Sequence, residues 1–313
     1  MLKILSVMDP LDQLSIDQDT TIGFLKSAFE RNHQLWICCP NDLYLHHTQT
    51  WVKAVSVSFN DHGELLIGTS QELDLSTLSC IWMRKDPPVD QAYLHACYLL
   101  DYAHTWVINP ARAVIQFNEK LYALEFPHLT PSTRLSTSVD QVTQWLEESE
   151  RPLIVKPLDG FGGLGIFLLS SEDRNARSTL ELLTDHGRRW VIVQEYLPQA
   201  RIGDKRVIVI DGEVIGAILR TPQKNDHRGN IHVGGQVSST ELTFEENQVC
   251  IEVALRLKQD GIFFAGLDLI GGYLTEINIT SPTGIRELKE LNGIDAGARF
   301  IEAIETRCKV QKA

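Results

Sequence analysis

The chain has 313 residues, 43% of them hydrophobic, an ordinary globular fraction that can bury a core in two or three subdomains. Acidic residues outnumber basic ones, 41 against 29, for a formal net charge of −12, and no basic block is present to track a phosphate backbone, which argues against nucleic acid as a partner. The apolar run of MLKILSVMDP is too short for a signal-peptide core with its cleavage site, and no later segment approaches a membrane span, so no membrane partner is expected.

From residue 1 to 118 strands alternate with helices: LKILSVM, a helix over TTIGFLKSAFERN, strands QLWICC and CIWMRK, a helix over QAYLHACYLLDYAH, and strand WVIN. This alternation predicts a doubly wound α/β unit with a largely parallel sheet. In such sheets ligands sit beyond the carboxyl ends of strands, where the loops MDPLDQ and MRKDPP carry charge. Arg84 and Lys85 are candidates there, a solvated strand end being the alternative. Between 119 and 197 the order is helix NEKLYALEF, turn LTPST, helix SVDQVTQWLEESE, strand PLIVKPL, a glycine-rich loop, strand GIFLLS, helix RNARSTLELLTDHG and strand WVIVQEYL. The remainder is strand-rich and ends in helices, beginning with KRVIVI and EVIGAILR around an Asp211-Gly212 hairpin turn. Cys38, Cys39, Cys80, Cys97, Cys250 and Cys308 show no CxxC spacing and read as reduced thiols of a cytoplasmic protein.

Four places carry chemistry. In KPLDGFGGLGIF, Gly160, Gly162 and Gly165 fit G-x-G-x-x-G, but the segment that follows reads as a strand, so no helix N-terminus is there to receive a pyrophosphate. A glycine loop between strands, with Lys156 before it, suits a flap whose N–H groups cover nucleotide phosphates; an ordinary mobile hairpin is the alternative. The strand WVIVQEYLP ends in polar Gln194 and Glu195; under such a flap its end could present backbone groups to an adenine edge and Glu195 to a sugar hydroxyl, an ordinary polar strand end being the alternative. Arg206 and Arg220 face opposite ways across a regular two-residue hairpin, and share a site only if a bulge near Gly216 shifts the register.

The fourth place is GLDLIGGYLTEINITSPTGIRE. Joined by Gly271-Gly272 alone, the two strands would set Asp268 opposite Thr275; a three-residue loop over 271–273 sets it opposite Glu276. Asp268, Glu276 and Asn278 then crowd one face, where two carboxylates repel unless a cation lies between them. Oxygen ligands favour Mg²⁺ or Mn²⁺ bound with nucleotide phosphates, and a solvent-facing hairpin is the alternative. Asp268→Asn and Glu276→Gln are expected to abolish activity while sparing the fold. Residues 221–237 form a long polar stretch expected to close as a lid over substrates.

Lys120 in FNEKL, Lys156, QEYLP, GDKR and DLIGGYLTEINITSP, in that order, resemble the ATP-grasp superfamily. With VMDP, MRKDPP, KPLDGFGG, GDKRVIVIDGE, RGN and TEINITSPTGIRE, the chain looks more narrowly like the bacterial glutathione synthetase family over nearly its whole length. The resemblance implies a mixed α/β and α+β fold: an N-terminal doubly wound α/β domain (1–118), a central ATP-grasp lid (119–197) and a C-terminal catalytic domain (198–313). It implies an ATP-dependent ligase joining γ-glutamylcysteine to glycine through an acyl phosphate, with another ATP-grasp carboxylate–amine ligase as the rival reading. A non-catalytic nucleotide-binding protein and a kinase are further rivals.

Carried over by motif, Lys120 and Lys156 contact phosphates, with Gly160, Phe161, Gly162 and Gly163 in the flap. Gln194, Glu195, Tyr196 and Leu197 line the adenine pocket, and Asp204 lies on the nucleotide side. Arg206 and Arg220, with Lys156, serve the transferring phosphate. Arg84, Arg228, Ser281 and Thr283 are candidates for peptide and glycine, and Asp268, Glu276 and Asn278 for magnesium. A homotetramer is implied by resemblance. Gly284 stands where some members of the family have a bulkier residue.

Overall fold

The computed structural model describes residues 1–223 and 234–310. The middle of the lid expected at 221–237, with Arg228, lies outside the described residues. The N-terminal part runs β1 (Lys3–Val7), α1 (Thr20–Glu30), β2 (Gln34–Cys38), β3 (Leu43–His46), β4 (Gln49–Phe59), β5 (Leu65–Asp74), β6 (Cys80–Met83), α2 (Gln91–Asp101) and β7 (Val107–Ile108). Asp19 and Asp90 start the two helices by accepting from the N–H groups of Ile22 and Tyr93, 2.9 Å each. β1 pairs in parallel with β2 and β6, and β6 with β7. The middle of each is buried on both faces, as a parallel sheet between helices requires.

The expectation of a largely parallel sheet holds only for that half. β3, β4 and β5 add antiparallel pairs at one side, so the seven-stranded sheet is mixed. The signal was present in WVKAVSVSF, where Val52, Ala54, Val57 and Phe59 are buried and Lys53 is exposed.

Next come α3 (Ala111–Gln116) and α4 (Glu119–Tyr122), then β8 (Thr133–Ser136), α5 (Val139–Glu148), β9 (Leu153–Pro157), β10 (Phe167–Leu169), α6 (Ala176–Leu183) and β11 (Val191–Glu195). Strands β10, β9, β11 and β8 form an antiparallel sheet in that order. Val142, Leu146, Val155, Leu180 and Val191 give it a core of its own. Tyr122, Ala123 and Phe126 pack elsewhere, against Val207, Leu267 and Ile277 of the third sheet. By packing, α4 therefore belongs with the C-terminal part.

That part holds β12 (Asp204–Ile210), β13 (Glu213–Thr221), β14 (Gln236–Ser239), α7 (Phe244–Gln259), β15 (Phe264–Ile270), β16 (Tyr273–Asn278), α8 (Ile285–Asn292) and α9 (Ala296–Val310). The sheet order is β14-β13-β12-β15-β16, antiparallel throughout. One face is covered by Cys250, Val253 and Leu257 of α7. The other sends Ile208, Ile210 and Ile218 into the core that holds Ile4, Phe24, Trp82 and Phe300. Phe24 and Phe300 stack there with centroids 4.1 Å apart. This shared core fixes the N-terminal sheet against the C-terminal one, while the middle sheet packs on itself. Among the described residues no helix is long and apolar enough to cross a membrane.

Candidate active site

Two register shifts build the site. Asp211 and Gly212, with φ of 47° and 81°, make the two-residue turn, pairing Ile210 with Glu213 and Val209 with Val214. The ladder then slips, so that Ile208 faces Gly216 and Ile215 is the extra residue. Arg220 now opposes Asp204, two residues from Arg206 on the same strand face. The bulge expected near Gly216 lies one residue before it.

The second shift corrects an expectation. Ile270 pairs directly with Tyr273 across Gly271-Gly272, so the loop has two residues and not three. Thr275 is bulged instead, and the bulge sets Asp268 opposite Glu276. Arg206 also pairs with Asp268, so Arg206, Asp268 and Glu276 form one row across β12, β15 and β16.

The row is the floor of a cavity of about 710 Å³. Asp204, Arg220, Asn278, Ser281 and Thr283 also line it. The middle sheet supplies the opposite wall: Lys156, the loop residues Gly160, Phe161, Gly162 and Gly163, and Gln194, Glu195, Tyr196 and Leu197 at the end of β11. Lys156 pairs with Ile192 and so shares a face with Gln194, whose Nε2 donates to Thr133 Oγ1 at 2.9 Å. The glycine loop joins strand to strand, as its sequence context required. Asp9, Lys85 and Asp86 close the N-terminal side, Lys85 pairing with Asp9 at 2.9 Å.

Arg84 does not line the cavity. It is 5% exposed, between the rings of Phe24 and Phe264 at 5.7 and 5.5 Å, and donates from Nη2 to Pro282 O at 3.2 Å. Successive residues leaving a strand point to opposite sides, and at this strand exit Lys85 takes the side of the cavity. Glu119 is a cavity residue that the sequence did not single out, and nothing local pointed to it.

The charges are tightly paired. Arg206 grips Asp268 with two bonds, Nε–Oδ1 at 2.6 Å and Nη2–Oδ2 at 3.1 Å, and Arg220 reaches Oδ1 at 2.9 Å. Burial alone would raise the Asp268 pKa, but the two guanidinium groups hold it well below the usual carboxylate range. Arg220 also donates to Asp204, so Asp204 faces an arginine first. Lys120 donates to Gly160 O and pairs with Glu276 at 3.2 Å. Burial, and after it the charge of Lys120, lower the Lys156 pKa against the pull of Glu276. Around Asp268 the carboxylates Asp204, Glu119, Asp268 and Glu276 are matched in number by Lys120, Lys156, Arg206 and Arg220.

Profiles of two families cover the chain. Residues 2–114 match the N-terminal domain of prokaryotic glutathione synthetase, and residues 119–293 match its ATP-grasp domain. The chain belongs to the prokaryotic glutathione synthetase family. It is 40% identical to the glutathione synthetase of Synechococcus elongatus, over 97% of this chain and 98% of the relative, and 42% identical to that of Gloeobacter violaceus, over 94% and 93%. Among solved structures it resembles the D-cycloserine synthetase DcsG, with a TM-score of 0.70 at 17% identity over 97% of this chain and 99% of that one. The macrocyclase MdnC from Microcystis aeruginosa superposes with a TM-score of 0.64 at 17% identity, over 97% and 100%. At that identity the likeness shows the fold, an N-terminal α/β domain followed by an ATP-grasp domain. Membership of the glutathione synthetase family makes the chain an ATP-dependent ligase of glutathione synthesis.

Proposed function

We propose that this cavity joins the carboxylate of γ-glutamylcysteine to the amine of glycine, with Mg²⁺ or Mn²⁺ accompanying ATP. The observation that carries the reading is the row Arg206, Asp268 and Glu276, set by the bulge at Thr275, with Arg220 brought beside it by the bulge at Ile215, beneath a glycine loop flanked by Lys156. A carboxylate is a poor electrophile. One of its oxygens attacks the γ-phosphorus, ADP leaves, and the acyl phosphate then accepts the amine nitrogen at carbon; phosphate departs and the amine loses a proton. Lys156, Arg206 and Arg220 are placed to stabilise the charge that develops in both steps. The adenine is read at Gln194 to Leu197. Buried thiols such as Cys97 and Cys250, each pushed up to about 12 by burial, are protonated and not poised as nucleophiles.

Glu276 and Asn278 fit a hard cation. Asn278 turns its Nδ2 to Asp268 Oδ2 and Gly266 O, 3.2 Å each, which leaves its own oxygen for another partner, whereas Asp268, whose two oxygens already accept from Arg206, Arg220 and Asn278, would join a cation only by giving up one of these bonds. Because the cluster is already matched in charge, a polyanionic nucleotide needs added positive charge, which a divalent ion would supply. Ser281 and Thr283 are assigned to the acceptor side. Arg84 supports that segment from behind through Pro282 O. The reading includes a cytoplasmic location and a homotetramer.

The test is incubation with ATP, Mg²⁺ and a panel of acid and amine pairs, following ADP and ligated product together. γ-Glutamylcysteine with glycine should give glutathione and ADP in equal amounts. Preference for another pair would support the rival ligase, and a phosphorylated hydroxyl without amide would overturn the reading.

A further inference from the structure

β16 lies at the edge of its sheet and ends at Asn278, so among the described residues the chain just beyond it has no neighbouring strand on its outer side. Yet both backbone groups of Ile279 and the N–H of Thr280 are satisfied, and by side chains from far away in sequence. Glu119 Oε1 accepts from Ile279 N at 2.8 Å, Thr280 N at 2.9 Å and Thr280 Oγ1 at 2.8 Å. Asn109 Nδ2 donates to Ile279 O at 2.6 Å and to Phe264 O at 2.7 Å. Its Oδ1 accepts from Phe263 N and Phe264 N, 2.9 Å each, so this buried amide is fully used. Ile279 is thus held through its N–H by one side chain and through its carbonyl by another.

The three residues at the start of α4 do separate work on the site. Asn118 caps the helix through Lys120 N and Leu121 N. Glu119 takes the segment after β16, and Lys120 takes Glu276 and the carbonyl of Gly160. One short helix therefore ties the glycine loop, the strand that carries Glu276 and the turn that carries Ser281 to one another.

We propose that Glu119 and Asn109 are positioning residues for the second half-reaction. Resting on the reading of Ser281 and Thr283 as the acceptor side, they hold residues 279–281 in the conformation that receives the amine before water reaches the acyl phosphate. Oε1 alone carries the three bonds, and this makes the idea sharp: a glutamine can keep them through its amide oxygen, whereas an alanine cannot. The carboxylate has a positive role in shape that does not depend on its charge.

The experiment compares full-length wild type with Glu119→Gln, Glu119→Ala, Asn109→Ala and the double alanine variant. Amide hydrogen exchange without ligands reads the clamp directly. In Glu119→Ala, Ile279 and Thr280 should lose protection by about tenfold, the cost of leaving a buried N–H without its acceptor, while the amides of β15 stay protected. Glu119→Gln should keep most of that protection. In turnover, Glu119→Ala should raise the KM for glycine by about tenfold, leave the KM for ATP within about twofold, and lower glutathione formed per ADP. The double variant should fall short of the product of the two single effects, because both side chains hold one peptide. Equal rises in both KM values with unaltered coupling would show general loosening and overturn the proposal, as would Glu119→Gln behaving like Glu119→Ala in exchange. If Glu119→Ala fails to fold, Glu119→Asp, too short to reach both residues, takes its place. A wild type that makes no glutathione would overturn the proposed function instead, and exchange at 279 and 280 would then decide the clamp alone.

Discussion

Asp268→Asn and Glu276→Gln separate two roles that the sequence could not. Asp268 and Arg206 are each 7% exposed at the side chain and Arg220 is 4%, whereas Glu276 is 20% exposed and its partner Lys120 8%. Asp268→Asn leaves Arg206 with one neutral amide oxygen and the Thr283 carbonyl at 3.1 Å, while Arg220 keeps Asp204. Breaking a buried ion pair from one side costs about 3–5 kcal/mol, and the remaining amide oxygen argues for the lower end, about 3 kcal/mol. Glu276→Gln leaves Lys120 bonded to Gly160 O in a wetter place and should cost about 1 kcal/mol. At about 2 °C per kcal/mol for a chain of this size, Tm should fall by about 6 °C for Asp268→Asn and about 2 °C for Glu276→Gln. Circular-dichroism melts at neutral pH measure this, taken on the transition of the C-terminal sheet. Both variants should lose ligation. The expectation that both spare the fold is therefore corrected for Asp268, which neutralises two arginines whatever else it binds. Equal melting temperatures, or a larger loss for Glu276→Gln, would refute the reasoning.

The Asp268 pKa lies lower in the folded chain than the unfolded value of about 3.9, so its stabilisation is full above that pH and is lost as pH falls through the folded value. The gap in Tm between wild type and Asp268→Asn should thus narrow steadily in melts below about pH 4. Gly266→Ala would place a Cβ 3.0 Å from Arg206 Cδ and from Pro282 Cβ, and 3.2 Å from Arg206 Nε. It should cost about 1–3 kcal/mol in urea unfolding and, by pushing Arg206 off Asp268, lower turnover by more than that loss of folded protein accounts for. Lys156→Ala should depress initial rates strongly and Lys156→Arg restore them only in part, because a planar fork does not replace a buried point charge. Full activity in the alanine variant would take Lys156 out of the site.

Much of the fold was legible from residues close together in the chain. The apolar run of Lys3–Val7, the helices over TTIGFLKSAFERN and QAYLHACYLLDYAH and the Asp211-Gly212 turn depend on periodicity and turn chemistry within a few residues, and they appear as read. The strand context of the glycine loop likewise excluded a dinucleotide turn. Facing of the site residues was different in kind. Asp268 does stand opposite Glu276, and Arg206 beside Arg220, but through extra residues at Ile215, beside the glycine that hinted at it, and at Thr275, which no local preference marks. Arg84 and Lys85 have equal claims in sequence, and only the sheet exit turns Lys85 toward the cavity. Glu119 reads as an ordinary acidic first turn of a helix, and its partners lie 160 and 161 residues away. A one-residue slip moves every following side chain to the other face of a sheet, so the position of a bulge decides the site. That position is set by the packing of both sheet faces at once, a sum over distant contacts that no window of sequence contains.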